Sequence, residues 1–180
     1  MMPGPVIVRT CPHCTAYLSQ NTIMSGNTFG ARFWTDGRMD APMLPDSPMV
    51  VKCPQCATVF WLDDADQAGE FPLGSPDEQN YPGLTDTESP TEAEFRAYAD
   101  SLDLPPDRER YVRIRAWWLA NDARRWDDHQ QEFDHAQSEN LARLSSLLDA
   151  DDPNQRLVLA EIARERGMME VAVSLLDRSE

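Results

Sequence analysis

The sequence predicts an α+β chain, with a small β-rich domain over residues 1–62 and α-helical hairpins over residues 90–180. Three observations lead there. Short β-branched and aromatic runs cluster before residue 62, and apolar residues recur at helical spacing after residue 90. Between them, residues 63–89 carry eight carboxylates and no basic residue, together with Pro72, Pro76, Pro82, Gly69, Gly74 and Gly83. That composition reads as an acidic connector. A length of 180 residues suits one ordinary domain or two small ones.

The expected strands are Val6-Ile7-Val8, Arg32-Phe33-Trp34-Thr35, Met49-Val50-Val51-Lys52 and Thr58-Val59-Phe60-Trp61. Asp36-Gly37 follows the second of these as a two-residue hairpin signal, implying a type I′ turn with positive φ at both positions. Pro42, Pro45 and Pro48 make the return an irregular crossing. Adjacent aromatics in a strand point to opposite faces. Phe33-Trp34 and Phe60-Trp61 should therefore each send one ring outward, to pack on the rest of the chain or to form an exposed patch. Phe71, Leu73, Tyr81 and Leu84 leave the connector two outcomes, a wrapped ordered segment or a flexible link.

Five helices are expected. Ser89-Pro90-Thr91-Glu92 reads as a capping box with proline at the first helical position. Phe95, Tyr98, Ala99 and Leu102 then form one apolar stripe. Leu104-Pro105-Pro106-Asp107 breaks that helix and starts a second one through Tyr111, Ile114, Trp117, Trp118 and Leu119, ending near Asn121-Asp122. Residues 124–135 are too polar to assign. Leu141, Leu144, Leu147 and Leu148 mark the third helix, and Asp152-Pro153-Asn154-Gln155 caps a fourth that stops at Gly167. Val171, Ala172, Leu175 and Leu176 belong to the fifth. The last pair resembles a tetratricopeptide-type hairpin, with Ala160, Gly167, Ala172 and Leu176 at its small, turn, small and large positions. The resemblance covers about 25 residues, one unit where a solenoid stacks about three.

Cys11-Pro12-His13-Cys14 and Cys53-Pro54-Gln55-Cys56 carry the chemistry. Each Cys-Pro-x-Cys turn brings two thiolates to one ion at about 2.3 Å, and two turns complete a tetrahedron. The pattern resembles a zinc ribbon over roughly the first 60 residues. The resemblance implies one structural Zn2+ held by Cys11, Cys14, Cys53 and Cys56. Two departures stand out: Thr15 and Ala57 sit where glycine often follows the second cysteine, and the spacer between the pairs is 38 residues long. Doubling a loop costs only about 0.6 kcal/mol, against roughly 10–16 kcal/mol from a structural zinc site. The alternatives are an iron site or a thiol-redox site. Redox use of Cys-Pro-His-Cys needs a helix starting at the motif, and residues 15–29 show no helical pattern. His13 is expected in a solvent-facing loop, as a minor alternative to a thiolate ligand.

Ser25-Gly26-Asn27-Thr28-Phe29-Gly30 lacks the endings of phosphate-binding loops and reads as turns needing positive φ. His129 and His135 are six apart, not the four that places two ligands on one helix face. No serine, cysteine or lysine has a recognisable base, so no catalytic residue is assigned. The net charge is −15, and residues 63–180 hold twelve arginines against 28 carboxylates. That disfavours nucleic-acid binding, which rests on cationic neutralisation of phosphate. No apolar run reaches the ~18 residues that span a bilayer, and the start lacks a secretory pattern. A cytoplasmic setting is expected, where clustered cysteines point to metal before disulfides.

The expected function is a non-enzymatic zinc-binding module for protein interaction. The alternatives are a regulator or nucleic-acid-associated factor using the near-neutral first domain, or a thiol-redox enzyme. Because no capping helix follows the fifth, Met168, Met169 and Val173 are expected to stay partly exposed. They would suit a basic, hydrophobic protein partner or a second copy of the chain.

Overall fold

The computed structural model describes residues 1–101, 103–125 and 132–177. Leu102 and His129 lie outside them. The chain is α+β as expected, with strands first and helices after. The strands are β1 (Met2–Thr10), β2 (Tyr17–Ser25), β3 (Arg32–Phe33), β4 (Met39–Asp40), β5 (Val50–Lys52), β6 (Val59–Trp61), β7 (Gln67–Phe71) and β8 (Thr85–Asp86). The helices are α1 (Glu92–Ser101), α2 (Pro106–Arg125), α3 (His135–Ser146), α4 (Pro153–Glu165) and α5 (Met169–Leu176). Contacts divide the chain into two units, Met1–Arg32 with Met39–Pro90, and Phe33–Arg38 with Thr91–Glu180.

In the first unit β1 is the organiser. Its valines alternate inward, and it pairs antiparallel with β2 on one side and β7 on the other, while β8 lies parallel to β2. Val6 and Val8 share a buried cluster with Phe71, packed by Tyr17, Tyr81 and Leu84. Tyr81 stands edge-on to Tyr17 and stacks on Phe71. Gly69 makes room for it: a Cβ there would stand 1.8 Å from the Tyr81 hydroxyl. Residues 63–89 thus adopt the ordered alternative, with Phe71, Tyr81 and Leu84 as the pins and Leu73 left exposed. The contacts do not break at residue 62, because β7 completes the sheet and Glu88 exchanges backbone hydrogen bonds with Lys52.

A second cluster of Cys11, Leu18, Val51, Cys53, Phe60, Leu62 and Ala65 lies under the cysteine turns. Phe60 and Trp61 are both buried, so β6 is covered on both faces and this pair takes the packed alternative, with no exposed patch.

The Asp36-Gly37 turn forms, but not as type I′. Among the described residues outside glycine, only Thr15 and Ala57 have positive φ, so Asp36 does not. Instead Gly37 N–H donates to Trp34 O at 3.0 Å and Trp34 N–H to Arg38 O at 2.9 Å, with Gly37 alone left-handed at φ 81°. This is a three-residue loop with a glycine bulge. Side-chain capping explains the choice, since Asp36 Oδ1 accepts from Arg38 N–H and holds Asp36 out of the left-handed region.

In the second unit α2 is central. Trp117 packs with Leu141, Leu144 and Ile162 in the core. The α1 cap is Thr91, not Ser89. Glu94 N–H donates to the Thr91 hydroxyl while Thr91 N–H donates to Glu94, so Pro90 precedes the cap. Helix α2 runs past Asn121-Asp122 to Arg125, because Asn121 spends its amide on Asp36 and Glu165 and does not cap the helix. Asp134, within residues 124–135, forms the α3 capping box with Gln137. Asp152 and Pro153 start α4 as expected. Gly167, at φ 74°, ends it, with Met168 N–H bonded to Ala163 O at 2.8 Å. Ala160 and Ala172 are buried, consistent with close approach of α4 and α5, whereas Leu176 is 46% exposed.

Candidate metal centre

The two Cys-Pro-x-Cys turns are the tips of two hairpins built alike. One joins β1 to β2, with Thr10 paired to Tyr17, and the other joins β5 to β6, with Lys52 paired to Val59. In each, the first cysteine's N–H donates to the carbonyl five residues on (Cys11 to Ala16 O, Cys53 to Thr58 O). Its carbonyl in turn accepts the N–H four residues on, from Thr15 or Ala57. Closing such a turn requires a left-handed residue after the second cysteine. Thr15 (φ 62°) and Ala57 (φ 58°) supply it, in the region that glycine adopts without steric cost. Thr15 and Ala57, where the ribbon pattern often has glycine, therefore take the left-handed conformation that glycine would take.

These hairpins bring all four sulfurs within 4.8 Å of one another. Cys11 Sγ lies 3.8 Å from Cys56 Sγ, and Cys14 Sγ lies 3.7 Å from Cys53 Sγ. Those separations are far beyond a disulfide bond length of about 2.05 Å. A tetrahedron with metal–sulfur bonds of about 2.3 Å has edges of about 3.8 Å, so the cluster fits one metal ion held by four thiolates. Cys11 and Cys53 are buried and Cys14 and Cys56 exposed, so each turn contributes one inner and one outer ligand.

The thiol acidities spread with each sulfur's burial and hydrogen bonds. Burial pushes Cys53 up to about 12, against the N–H bonds from Cys56 and Gln55. Cys56 is pulled down to about 6, first by the Thr58 hydroxyl, whose oxygen lies 3.3 Å from its sulfur, and then by the Thr58 N–H. Cys14 accepts the Ala16 N–H, which lowers it, but burial and the neighbouring Cys56 and Cys11 thiols leave it raised overall. Thr58 is a site residue that sequence reasoning placed only in a strand. Its signal was its position, two residues after the second cysteine.

Other candidates resolve differently. His13 is exposed, in the loop as expected, and His135 pairs with Glu139 on the surface of α3. Cys14 leads through Thr15 and Ala16 into β2, so the motif does not start a helix. In the 25–30 loop Gly30 has positive φ, but Gly26 is needed for close approach, since a Cβ there would stand 2.4 Å from Met43 O.

A cleft of about 210 Å³ in the helical unit is lined by Trp34, Asp36, Arg124, Arg125, Glu161 and Arg164, among others. Its charges largely satisfy one another. Arg164 makes two bonds to Glu161, at 2.7 and 2.8 Å, and holds that carboxyl below its usual range, against burial. Arg125 bonds Asp36 and lies over the Trp34 ring at 4.5 Å. Glu165 is raised by burial although Trp117 Nε1–H donates to it at 2.8 Å. Trp118 Nε1–H donates to Asp36 O at 2.9 Å, which fixes the hairpin tip within this unit.

No model of a known protein family, no curated protein and no solved structure matches the chain. The chain is therefore described by its own geometry, an α+β protein with a four-cysteine cluster that could hold one metal ion. No helix among the described residues is long and apolar enough to cross a membrane.

Proposed function

We propose that the chain is a non-enzymatic protein-interaction module whose first unit is held together by one structural zinc ion, in the manner of a zinc ribbon. The observation that carries the zinc reading is the pair of matching hairpins that set four sulfurs at tetrahedral spacing. Zinc is favoured because an all-thiolate tetrahedral set with no open position is its usual structural site. On this reading all four cysteines are structural, and the site offers no vacant coordination position for a substrate.

The interaction part of the reading is supported by the terminal hairpin, tetratricopeptide-like in its small-residue contacts. Met169 and Val173 are 56% and 55% exposed there, as an interaction surface requires. A cytoplasmic, reducing setting accords with four free thiols.

Protein purified without chelators should contain about one zinc per chain, with thiols that resist alkylation until a chelator is added. Freely reactive thiols in native protein, or zinc well below half-stoichiometric, would overturn the metal reading. The interaction reading predicts a stoichiometric protein partner on affinity capture from the native cell. Its absence would refute that part.

A further inference from the structure

Helix α5 is a helix that has kept its apolar side chains and left most of them in solvent. Of its eight residues only Ala172 is buried. Met169, Val173 and Leu176 are 56%, 55% and 46% exposed. They sit at i, i+4 and i+7, so at 3.6 residues per turn they form one narrow stripe along the helix. The edge of that stripe is acidic. Glu170 follows Met169 and Asp177 follows Leu176, both exposed, and the last turn holds no basic residue. The two carboxylates are seven residues apart, two helical turns or about 10 Å along the axis.

We infer that the exposed stripe of α5 docks an amphipathic α-helix of another protein, with apolar residues at i, i+4, i+7 and lysine or arginine seven residues apart along one edge. The inference rests on the interaction reading above and names the partner's chemistry. Apolar residues at this spacing are what helix-on-helix recognition uses. Flanking charges then choose partner and orientation, as they do at the edges of coiled coils.

Charge selects the occupant. A second copy of α5 would set Glu170 against Asp177 in an antiparallel pairing, and in a parallel one it would offer no basic side chain to either carboxylate. It would also bring together two chains of net charge −15. A cationic helix meets both carboxylates with opposite charge and gains long-range attraction besides.

The test uses the metal-loaded 180-residue chain and two synthetic three-heptad peptides. Both carry the same leucine stripe, one with lysine and one with glutamate at the flanking positions, and binding is read by fluorescence anisotropy. The lysine peptide should bind and the glutamate peptide should not. Val173→Glu should weaken the lysine peptide by about tenfold or more, because it places a charge in the apolar contact. Non-specific attraction to an acidic protein predicts the reverse, since Val173→Glu adds a negative charge. Unchanged or tighter binding would therefore overturn the inference.

The double variant Glu170→Lys/Asp177→Lys, at two exposed positions, should shift preference to the glutamate peptide, and it decides the matter should Val173→Glu fail to fold. Failure of the lysine peptide to bind, or a dimer of the wild type that Val173→Glu dissolves, also overturns it. A partner captured equally by wild type and Val173→Glu would sink this surface and leave the interaction reading standing. Capture of nothing by the wild type would sink that reading itself.

Discussion

Lowering the pH should expel the metal steeply, and the thiol acidities say how steeply. A thiolate ligand must lose its proton before it binds, so every thiol protonated in the metal-free protein releases one proton on loading. At pH 7.5 Cys53, pushed up to about 12, is protonated, and Cys14, raised above its ordinary value, is protonated too. Cys56, at about 6, is already mostly thiolate because the Thr58 hydroxyl and N–H stabilise its charge. Cys53 and Cys14 alone then release two protons, so the apparent affinity should change by at least about a hundredfold per pH unit near neutrality. Below about pH 6 the protonation of Cys56 adds one more proton, and the slope steepens. Competition against a chelator of known affinity at pH 6.5, 7.5 and 8.5 measures the slope. Calorimetry in buffers of different ionisation enthalpy counts the protons independently. A slope clearly below about two would show that the ion is not held by these four sulfurs in the arrangement described. Thr58→Val should abolish the extra steepening below pH 6 and move it toward neutral pH, because it removes the largest contribution that lowers Cys56.

The other predictions concern stability. Asp36→Ala removes a buried carboxylate that accepts from Asn121 at 2.8 Å and pairs with Arg125. Breaking one partner of such a set costs roughly 3–5 kcal/mol, so urea unfolding followed by helical circular dichroism should shift by that order, and a change below about 1 kcal/mol would show that the hairpin tip is not anchored there. Ala57→Gly should stabilise the metal-loaded protein by about 0.4–1 kcal/mol, since glycine relieves the strain of a left-handed alanine; a lower melting temperature would argue against the matching-hairpin geometry. Gly69→Ala should displace Tyr81, which stands 1.8 Å from the added methyl position, and make residues 72–84 the first site of limited proteolysis, where the wild type resists. Finally, Glu161 is held below its usual range by Arg164 and Thr35, so its contribution is present above the unfolded carboxylate pKa and is lost as pH falls through its lower folded value. Glu161→Gln should therefore flatten the acid limb of the helical unit's stability profile, and an unaltered limb would remove Glu161 from the anchor.

What could be read from the sequence follows the range of the forces involved. The cysteine pairs, the caps at Asp152-Pro153 and Leu141 with Leu144 of α3 are local signals, each set within a few residues, and the structure has them where expected, although α3 ends at Ser146, before Leu147 and Leu148. Strand β2 is different. Tyr17–Ser25 reads as polar and unpatterned, because its outer face needs no apolar residues and its strand character comes from hydrogen bonds to β1. The same holds for β7, whose Gln67-Ala68-Gly69-Glu70 resembles linker composition. Only Phe71 and the vacancy at Gly69 for Tyr81 show that it belongs to a sheet, and that fit exists only once residue 81 has folded back on residue 69. The Asp36-Gly37 turn was placed correctly and typed wrongly for a related reason, since the Asp36 side chain bonds its own turn and tertiary partners claim its other oxygen.

The long spacer between the cysteine pairs acquires a physical meaning from the division into units. A loop of 38 residues closed by a metal would ordinarily be a tolerated insertion, costing little beyond closure entropy. Here its middle, Phe33–Arg38, is part of the helical unit, while both flanks belong to the unit that carries the sulfurs. Thr35 bonds Glu161 at 2.6 Å, Asp36 meets Asn121 and Arg125, and Arg38 lies over Trp118 at 5.6 Å. Metal binding fixes both ends of the spacer, so it lowers the conformational entropy that seating Phe33–Arg38 must overcome. Linkage requires the effect to be mutual. Removing the metal should then lower the stability of the helical unit, and Asp36→Ala should weaken metal affinity by the factor by which the metal enlarges the cost of that substitution, although residue 36 is 17 positions from the nearest cysteine in the sequence. Chelator titration of wild type and Asp36→Ala, beside urea unfolding of both with and without metal, measures the two sides of that equality. Equal metal affinity in the two proteins, with Asp36→Ala clearly less stable, would show that the spacer transmits nothing.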